Sequence, residues 1–195
     1  MKTIAITGGI GAGKSVVCKI LRCLGFDVFD CDDKAKTLMD GDLDLMKGIH
    51  LKIHPSVILS EKGNLRIDRK KLASIVFSDR EKLETLNQLV HCKVFDLFKT
   101  EADIHRDKGD KLFFFETAIL YESGMDRFAD EIWIVSAPKE IRILRLENRG
   151  LSPDESVKRM DSQNINFSVN AKNREIVNDG MKPVLPQVLK LLNQL

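Results

Sequence analysis

Apolar residues along this chain follow two rhythms. Short β-branched or aromatic runs, each bounded by polar or turn-forming residues, read as buried strands at 3–7, 26–29, 112–115, 132–135 and 176–177. Between them the apolar positions recur at helical spacing. Residues 15–24 carry Val16, Val17, Ile20, Leu21 and Leu24, with Gly25 as a stop signal. Residues 69–77 form a short helical pattern. A long one at 81–104 keeps Leu83, Leu86, Leu89, Val90, Val94, Leu97 and Phe98 in register. Pro138 opens a further helix, Ser152 caps the next with Glu155 three residues on, and 184–192 holds the last. Strands alternating with helices predict an α/β fold, a doubly wound parallel sheet of about five strands.

Two stretches break the alternation. Residues 33–90 and 138–163 are charged, helical and poor in strand pattern, and read as insertions in a strand-bearing core. The least patterned part is 40–62.

Composition narrows the class. A chain of 195 residues with 43% hydrophobic and 31% charged residues supports one packed domain and excludes wholesale disorder. A net charge of +2 is too small for a nucleic-acid surface. Cys18, Cys23, Cys31 and Cys92 make no C-x-x-C pair, so neither a disulfide framework nor a zinc site is expected; reduced thiols fit a cytoplasmic protein. The apolar run after Lys2 ends at Gly8, too short for a signal peptide, and no uncharged stretch is long enough to span a bilayer.

Chemistry enters at Gly8-Gly9-Ile10-Gly11-Ala12-Gly13-Lys14-Ser15, which fits G-x-x-x-x-G-K-[ST] directly after a strand and before a helix. Glycines let the backbone wrap a phosphate chain closely, and the helix N-terminus adds partial positive charge. Residues 11–16 (Gly11, Ala12, Gly13, Lys14, Ser15, Val16) are the expected nucleotide contacts. The Lys14 ammonium reaches the β and γ phosphates of ATP, and the Ser15 hydroxyl takes one position on Mg²⁺. A regulatory GTPase is excluded, because neither D-x-x-G nor N-K-x-D occurs. A small kinase remains, with helical insertions that bind the acceptor and cover the triphosphate.

Further residues resemble one family of such kinases. Thr7 to Ser15 followed by Gly25-Phe26-Asp27-Val28-Phe29-Asp30-Cys31-Asp32 is similar to the dephospho-CoA kinase pattern TGGIGSGKS and G-x-x-V-I-D-A-D. Ile67-Asp68-Arg69 with Leu72-Ala73 and Val76-Phe77 resembles I-D-R-x-x-L-A-x-x-V-F, and Leu86 to His91 resembles L-x-x-L-x-H-P. Ala118 to Glu122 resembles P-L-L-F-E; Arg145, Arg149 and Gln163 resemble R-x-x-x-R and a downstream S-Q; Asn178-Asp179-Gly180 resembles N-x-G. Three positions depart from the pattern: Cys92 and Ala118 stand where proline is usual, and Lys36 where arginine is usual.

The resemblance implies transfer of the ATP γ-phosphoryl group to the ribose 3′-hydroxyl of dephospho-CoA, the final step of coenzyme A synthesis, with Mg²⁺ required. It implies a nucleotide-binding core at 1–32, 91–137 and 166–195, an acceptor region at 33–90 and a lid at 138–165. It assigns the general base to Asp32; two residues apart at a strand end, Asp30 and Asp32 point the same way, with capping of the next helix as the plainer, less favoured alternative for Asp32. Asp33 stays open between the two roles. Arg145 and Arg149, four apart on one expected helix, share a face suited to a triphosphate. Asp30, His91, Glu116 and Glu122 are assigned to the acceptor side. Glu116, at its strand end, suits either a water on Mg²⁺ or the acceptor, against the plain alternative of a surface charge. His91 is either an acceptor contact or structural. Lys70 and Lys71 suit the acidic groups of the acceptor or a solvated helix face. The three phenylalanines before Glu116 are expected in the core.

Overall fold

The computed structural model describes residues 1–61, 64–163 and 171–195. The chain divides into two compact units, Met1–Phe29 with His105–Leu195, and Asp30–Ile104. The boundary expected between 165 and 166 lies outside the described residues.

The first unit is built on a five-stranded sheet. Its strands are β1 (Lys2–Thr7), β2 (Val28–Asp30), β5 (Leu112–Glu116), β6 (Glu131–Ser136) and β7 (Asn173–Val177), in the order β2-β5-β1-β6-β7. Strand β1 pairs with β5 and with β6, and β6 with β7, all in parallel. The three central strands, β1, β5 and β6, are therefore apolar runs because both faces are covered, while the edge strand β7 exposes Arg174 and Glu175. Ile4, Ile6, Phe114, Trp133, Val135 and Ile176 pack with Val17, Cys18 and Leu21 of α1 (Lys14–Cys23) and Val188 and Leu191 of α8 (Val184–Leu192). The residues between them, Ala5, Phe113, Phe115 and Ile132, are buried as well. All three phenylalanines are thus core residues, and Phe114 meets Phe26 and Trp133 edge-on at centroid distances of 5.2 and 5.6 Å. Helices α6 (Lys139–Glu147) and α7 (Pro153–Asp161) belong to this unit too. The capping box expected at Ser152 and Glu155 is present.

With β1 in the middle, β5 lies on one side and β6 on the other. Open parallel sheets bind ligands beyond the carboxyl ends of their strands at such a reversal point. The glycine loop leaves β1 there.

The second unit consists of helices started by aspartates. Asp30 Oδ1 accepts from Asp33 N (2.9 Å) at the head of α2 (Cys31–Gly41), and Asp42 Oδ1 from Leu45 N (2.7 Å) at α3 (Leu43–Lys52). Asp68 Oδ1 accepts from Lys71 N (3.0 Å) at α4 (Arg69–Phe77), and Asp79 Oδ1 from Lys82 N (3.1 Å) at α5 (Arg80–Asp107), which runs across the division. Each carboxylate satisfies an orphan amide. Leu45, Met46, Ile49, Ile53, Val57, Ile67, Leu72 and Val76 are buried among these elements.

Poor in strand pattern, this region nevertheless holds two short strands: β3 (Ile58–Glu61) and β4 (Asn64–Ile67) pair antiparallel, with Ile58 opposite Ile67 and Ser60 opposite Leu65. Each strand is only four residues long, and while Asn64 to Ile67 alternates, Ile58 to Glu61 does not, so the local pattern is too short to announce the pairing.

Candidate active site

The glycine loop is held from outside by donors to its carbonyls. Gly8 O accepts from Lys14 Nζ (3.1 Å), Gly9 O from Ala12 N (3.0 Å) and Ile10 O from Arg142 Nε (2.8 Å). Gly11 O and Ala12 O both accept from Arg145 Nη1 at 3.2 Å, and Ala12 O also from Asn178 Nδ2 at 2.9 Å. Gly13 O accepts from Val16 N (2.9 Å). By contrast, the amides of Gly11, Gly13, Lys14 and Ser15 donate to no acceptor among the described residues. Occupied carbonyls and unengaged amides at a helix start make a concavity for an anion.

Glycine is required here for space as well as for dihedral freedom. Gly13 has φ +99°, and a Cβ on it would collide with the Asn178 amide nitrogen. Gly11 has φ +78°, and its Cβ would lie 2.9 Å from the Arg142 carbonyl oxygen.

Glu116 ends β5 opposite Ile6 of β1, which brings its carboxylate beneath the loop. It is 9% exposed. Its Oε1 lies 3.8 Å from Lys14 Nζ, and its Oε2 accepts from Cys18 Sγ at 3.6 Å. The surface-charge alternative for Glu116 therefore fails: this is a largely buried ion pair under the cradle. Ser15 and Val16 are exposed in the opening turn of α1, while Gly11 and Ala12 are buried.

Arg145 is firmly placed. Besides Gly11 O and Ala12 O, its Nη2 donates to Asn178 O (3.0 Å) and to Asn178 Oδ1 (3.1 Å). Its guanidinium thus binds the outside of the loop. Arg149 does not share its helix. A Schellman turn closes α6, with Gly150 N bonding Glu147 O (2.8 Å), Leu151 N bonding Leu146 O (3.2 Å) and Gly150 at φ +91°. Arg149 falls on that turn, exposed, so the expected common face is lost.

Two residues of this shell escaped the sequence reading. Gln163 was matched only as a motif letter, yet its Oε1 accepts from Ile10 N at 2.6 Å. Arg142 was not singled out at all. Its signal was the three-residue interval to Arg145, which puts both on one helical face.

The structure brings together Gly11, Ala12, Gly13, Lys14, Glu116 and Arg145. Glu122, in the same unit, is exposed on the turn after β5. Asp30, Asp32 and His91 belong to the second unit. Asp30 is the residue that caps α2, so the helix-cap alternative for Asp32 falls away. The strand geometry offered for Asp32 also falls away: β2 ends at Asp30 and the helix begins at Cys31, so strand alternation never reaches Asp32. Asp32 and Asp33 are exposed in the first turn of α2, and Lys70 and Lys71 are exposed on α4. His91 is half-buried on α5, where burial pushes its imidazole pKa down.

No helix among the described residues is long and apolar enough to cross a membrane. Known proteins resemble the chain over almost its entire length. The family model for dephospho-CoA kinase matches residues 2–182. A dephospho-CoA kinase of Chlorobaculum tepidum is 42% identical over 161 residues, which is 82% of this chain and 77% of that protein. Among solved structures, TT1252 from Thermus thermophilus superposes with a TM-score of 0.82 at 32% identity, covering 99% of this chain and 96% of that one. A dephospho-CoA kinase from Campylobacter jejuni gives a TM-score of 0.69 at 26% identity, covering 100% and 97%. With the glycine loop, its lysine and a parallel sheet that reverses beside it, these matches establish that the chain belongs to the dephospho-CoA kinase family.

Proposed function

We propose that the protein transfers the γ-phosphoryl group of ATP to the ribose 3′-hydroxyl of dephospho-CoA, giving CoA and ADP. The observation that carries this reading is the loop at Gly8–Ser15, with the carbonyls of residues 8–13 held and four amides unengaged among the described residues, in a chain of this family. Phosphoryl transfer asks a protein mainly for positioning and charge neutralisation. The loop amides and the start of α1 receive the phosphates, and Lys14 exchanges its contact with Gly8 O for phosphate oxygens. Arg145 keeps the loop in shape and lends its charge beside it; Arg149, exposed on the closing turn, meets the triphosphate from solvent.

Asp32 accepts the proton of the 3′-hydroxyl as that oxygen bonds to the γ-phosphorus and the bond to the ADP oxygen breaks. Asp30, His91, Glu116 and Glu122 serve the acceptor side. The oxygen donors at the loop, Ser15 Oγ and the Glu116 carboxylate, suit a hard cation such as Mg²⁺, which would enter with ATP. When bound, that ion neutralises charge on the β and γ phosphates.

Incubation with ATP, Mg²⁺ and dephospho-CoA, with products separated by chromatography and mass spectrometry, tests this. Formation of CoA is expected. Failure to form it, with phosphorylation of a nucleoside monophosphate instead, would overturn the acceptor assignment.

A further inference from the structure

The two arginines on the loop-facing side of α6 differ in how fully they are used. Arg145 has both terminal nitrogens engaged, on Gly11 O, Ala12 O and Asn178. Arg142 donates from Nε to Ile10 O at 2.8 Å, while its Nη2 is buried with no hydrogen-bond partner among the described residues. The guanidinium is planar and rigid, so fixing Nε on Ile10 O also fixes Nη2 close to the loop. The Arg142 backbone packs here too, its carbonyl oxygen 2.9 Å from where a Gly11 Cβ would stand.

A buried donor nitrogen left unpaired on a cation is costly, and native proteins rarely keep one without a use. Arg142 as a whole is half-buried, and that partial burial lowers its pKa from the ordinary value. A neighbouring loop shaped for phosphate indicates what compensates the unpaired nitrogen. We propose that Arg142 Nη2 is a donor held in reserve for a phosphate oxygen of the bound nucleotide, making Arg142 a polyphosphate-binding residue in addition to the loop and Lys14. Charge-assisted bonds of this kind are about twice as strong as neutral ones, and arginine offers them with fixed direction. The inference rests on the reading of the loop as a nucleotide cradle.

The test compares wild type, Arg142→Lys and Arg142→Gln in calorimetric titrations with inorganic pyrophosphate, ADP and adenosine. Arg142→Gln is expected to weaken pyrophosphate and ADP by about tenfold, the size of one charge-assisted contact, and to leave adenosine unchanged. Arg142→Lys, which keeps the charge, recovers part of the loss. Wild-type affinity for pyrophosphate in Arg142→Gln would overturn the proposal, and so would equal losses for adenosine and ADP. Should Arg142→Gln not fold, the guanidinium ¹⁵N signals of wild type decide. Those of Arg142 must shift when pyrophosphate saturates the protein, and unchanged signals would overturn the idea. A wild type that binds neither pyrophosphate nor ADP would instead sink the functional reading itself.

Discussion

In the loop at residues 8–13 every carbonyl has a donor, drawn from the loop itself, α1, α6 and Asn178. In the segment Asp30–Ile104 the polar side chains do something different. Asp30, Asp42, Asp68 and Asp79 each bond an amide three residues on and so set helix starts, while Arg69, on Asp40 and Lys36 O, and Lys93, on Asp42, tie one helix to another. The loop is over-determined from several parts of the chain, and its shape is its chemistry. The segment 30–104 is a set of locally capped helices tied by a few ion pairs, and on the proposed reading its chemistry depends on which exposed carboxylates and imidazoles a substrate meets. Phosphate binding should therefore fail sharply and specifically when touched. Damage in 30–104 should divide between stability and turnover.

The largest effect is expected at Lys14. Lys14→Met should lower kcat/KM by on the order of a thousandfold, since it removes a cation beside the amides and leaves Glu116 buried without its ion pair. Steady-state rates would show this, with circular dichroism confirming the fold. Next comes Asp32→Asn, which should cut kcat by on the order of a hundredfold while ATP binding stays unchanged, as expected for loss of a general base. A loss confined to KM would reassign Asp32 to substrate binding.

Gly13→Ala separates shape from charge. The left-handed backbone and the collision with Asn178 should cost at least about 2 kcal/mol in thermal or urea unfolding and weaken ATP binding as well. Asp68→Ala removes a helix cap alone and should cost about 1 kcal/mol with turnover per folded molecule preserved. The smallest effect concerns His91. Burial lowers its folded pKa below the unfolded value, so protonation favours the unfolded chain. Its stabilising contribution is complete above about pH 6.5 and is lost as pH falls through the folded pKa. His91→Gln should flatten that part of the stability–pH curve, measured by urea unfolding from pH 7.5 to 5.

Legibility in the sequence followed the same division. Gly8 to Ser15 could be read outright because its chemistry lies in consecutive residues: strand, glycines, lysine and hydroxyl are all local. The central strands β1, β5 and β6 were visible because parallel strands buried on both faces are continuous apolar runs. Of the edge strands only 28–29 and 176–177 could be read, because β7 begins with the polar Asn173-Arg174-Glu175. Glu116 was found as a strand-end carboxylate, but its pairing with Lys14 needed the register of β5 on β1. Arg142 and Gln163 were hidden because their partners are backbone atoms more than a hundred residues away. The β3–β4 hairpin was hidden because four-residue strands carry too little alternation. Arg149 was expected on the helix of Arg145 but lies two residues past its last residue, Glu147, although Gly150 advertised the stop.

The division between loop and acceptor segment is tested most directly by ATP affinity, measured calorimetrically on wild type, Lys14→Met and Asp32→Asn. The account predicts that Lys14→Met weakens binding by at least about tenfold, while Asp32→Asn binds within about twofold of wild type. Equal affinity in all three proteins, or a loss in Asp32→Asn as severe as that in Lys14→Met, would contradict it.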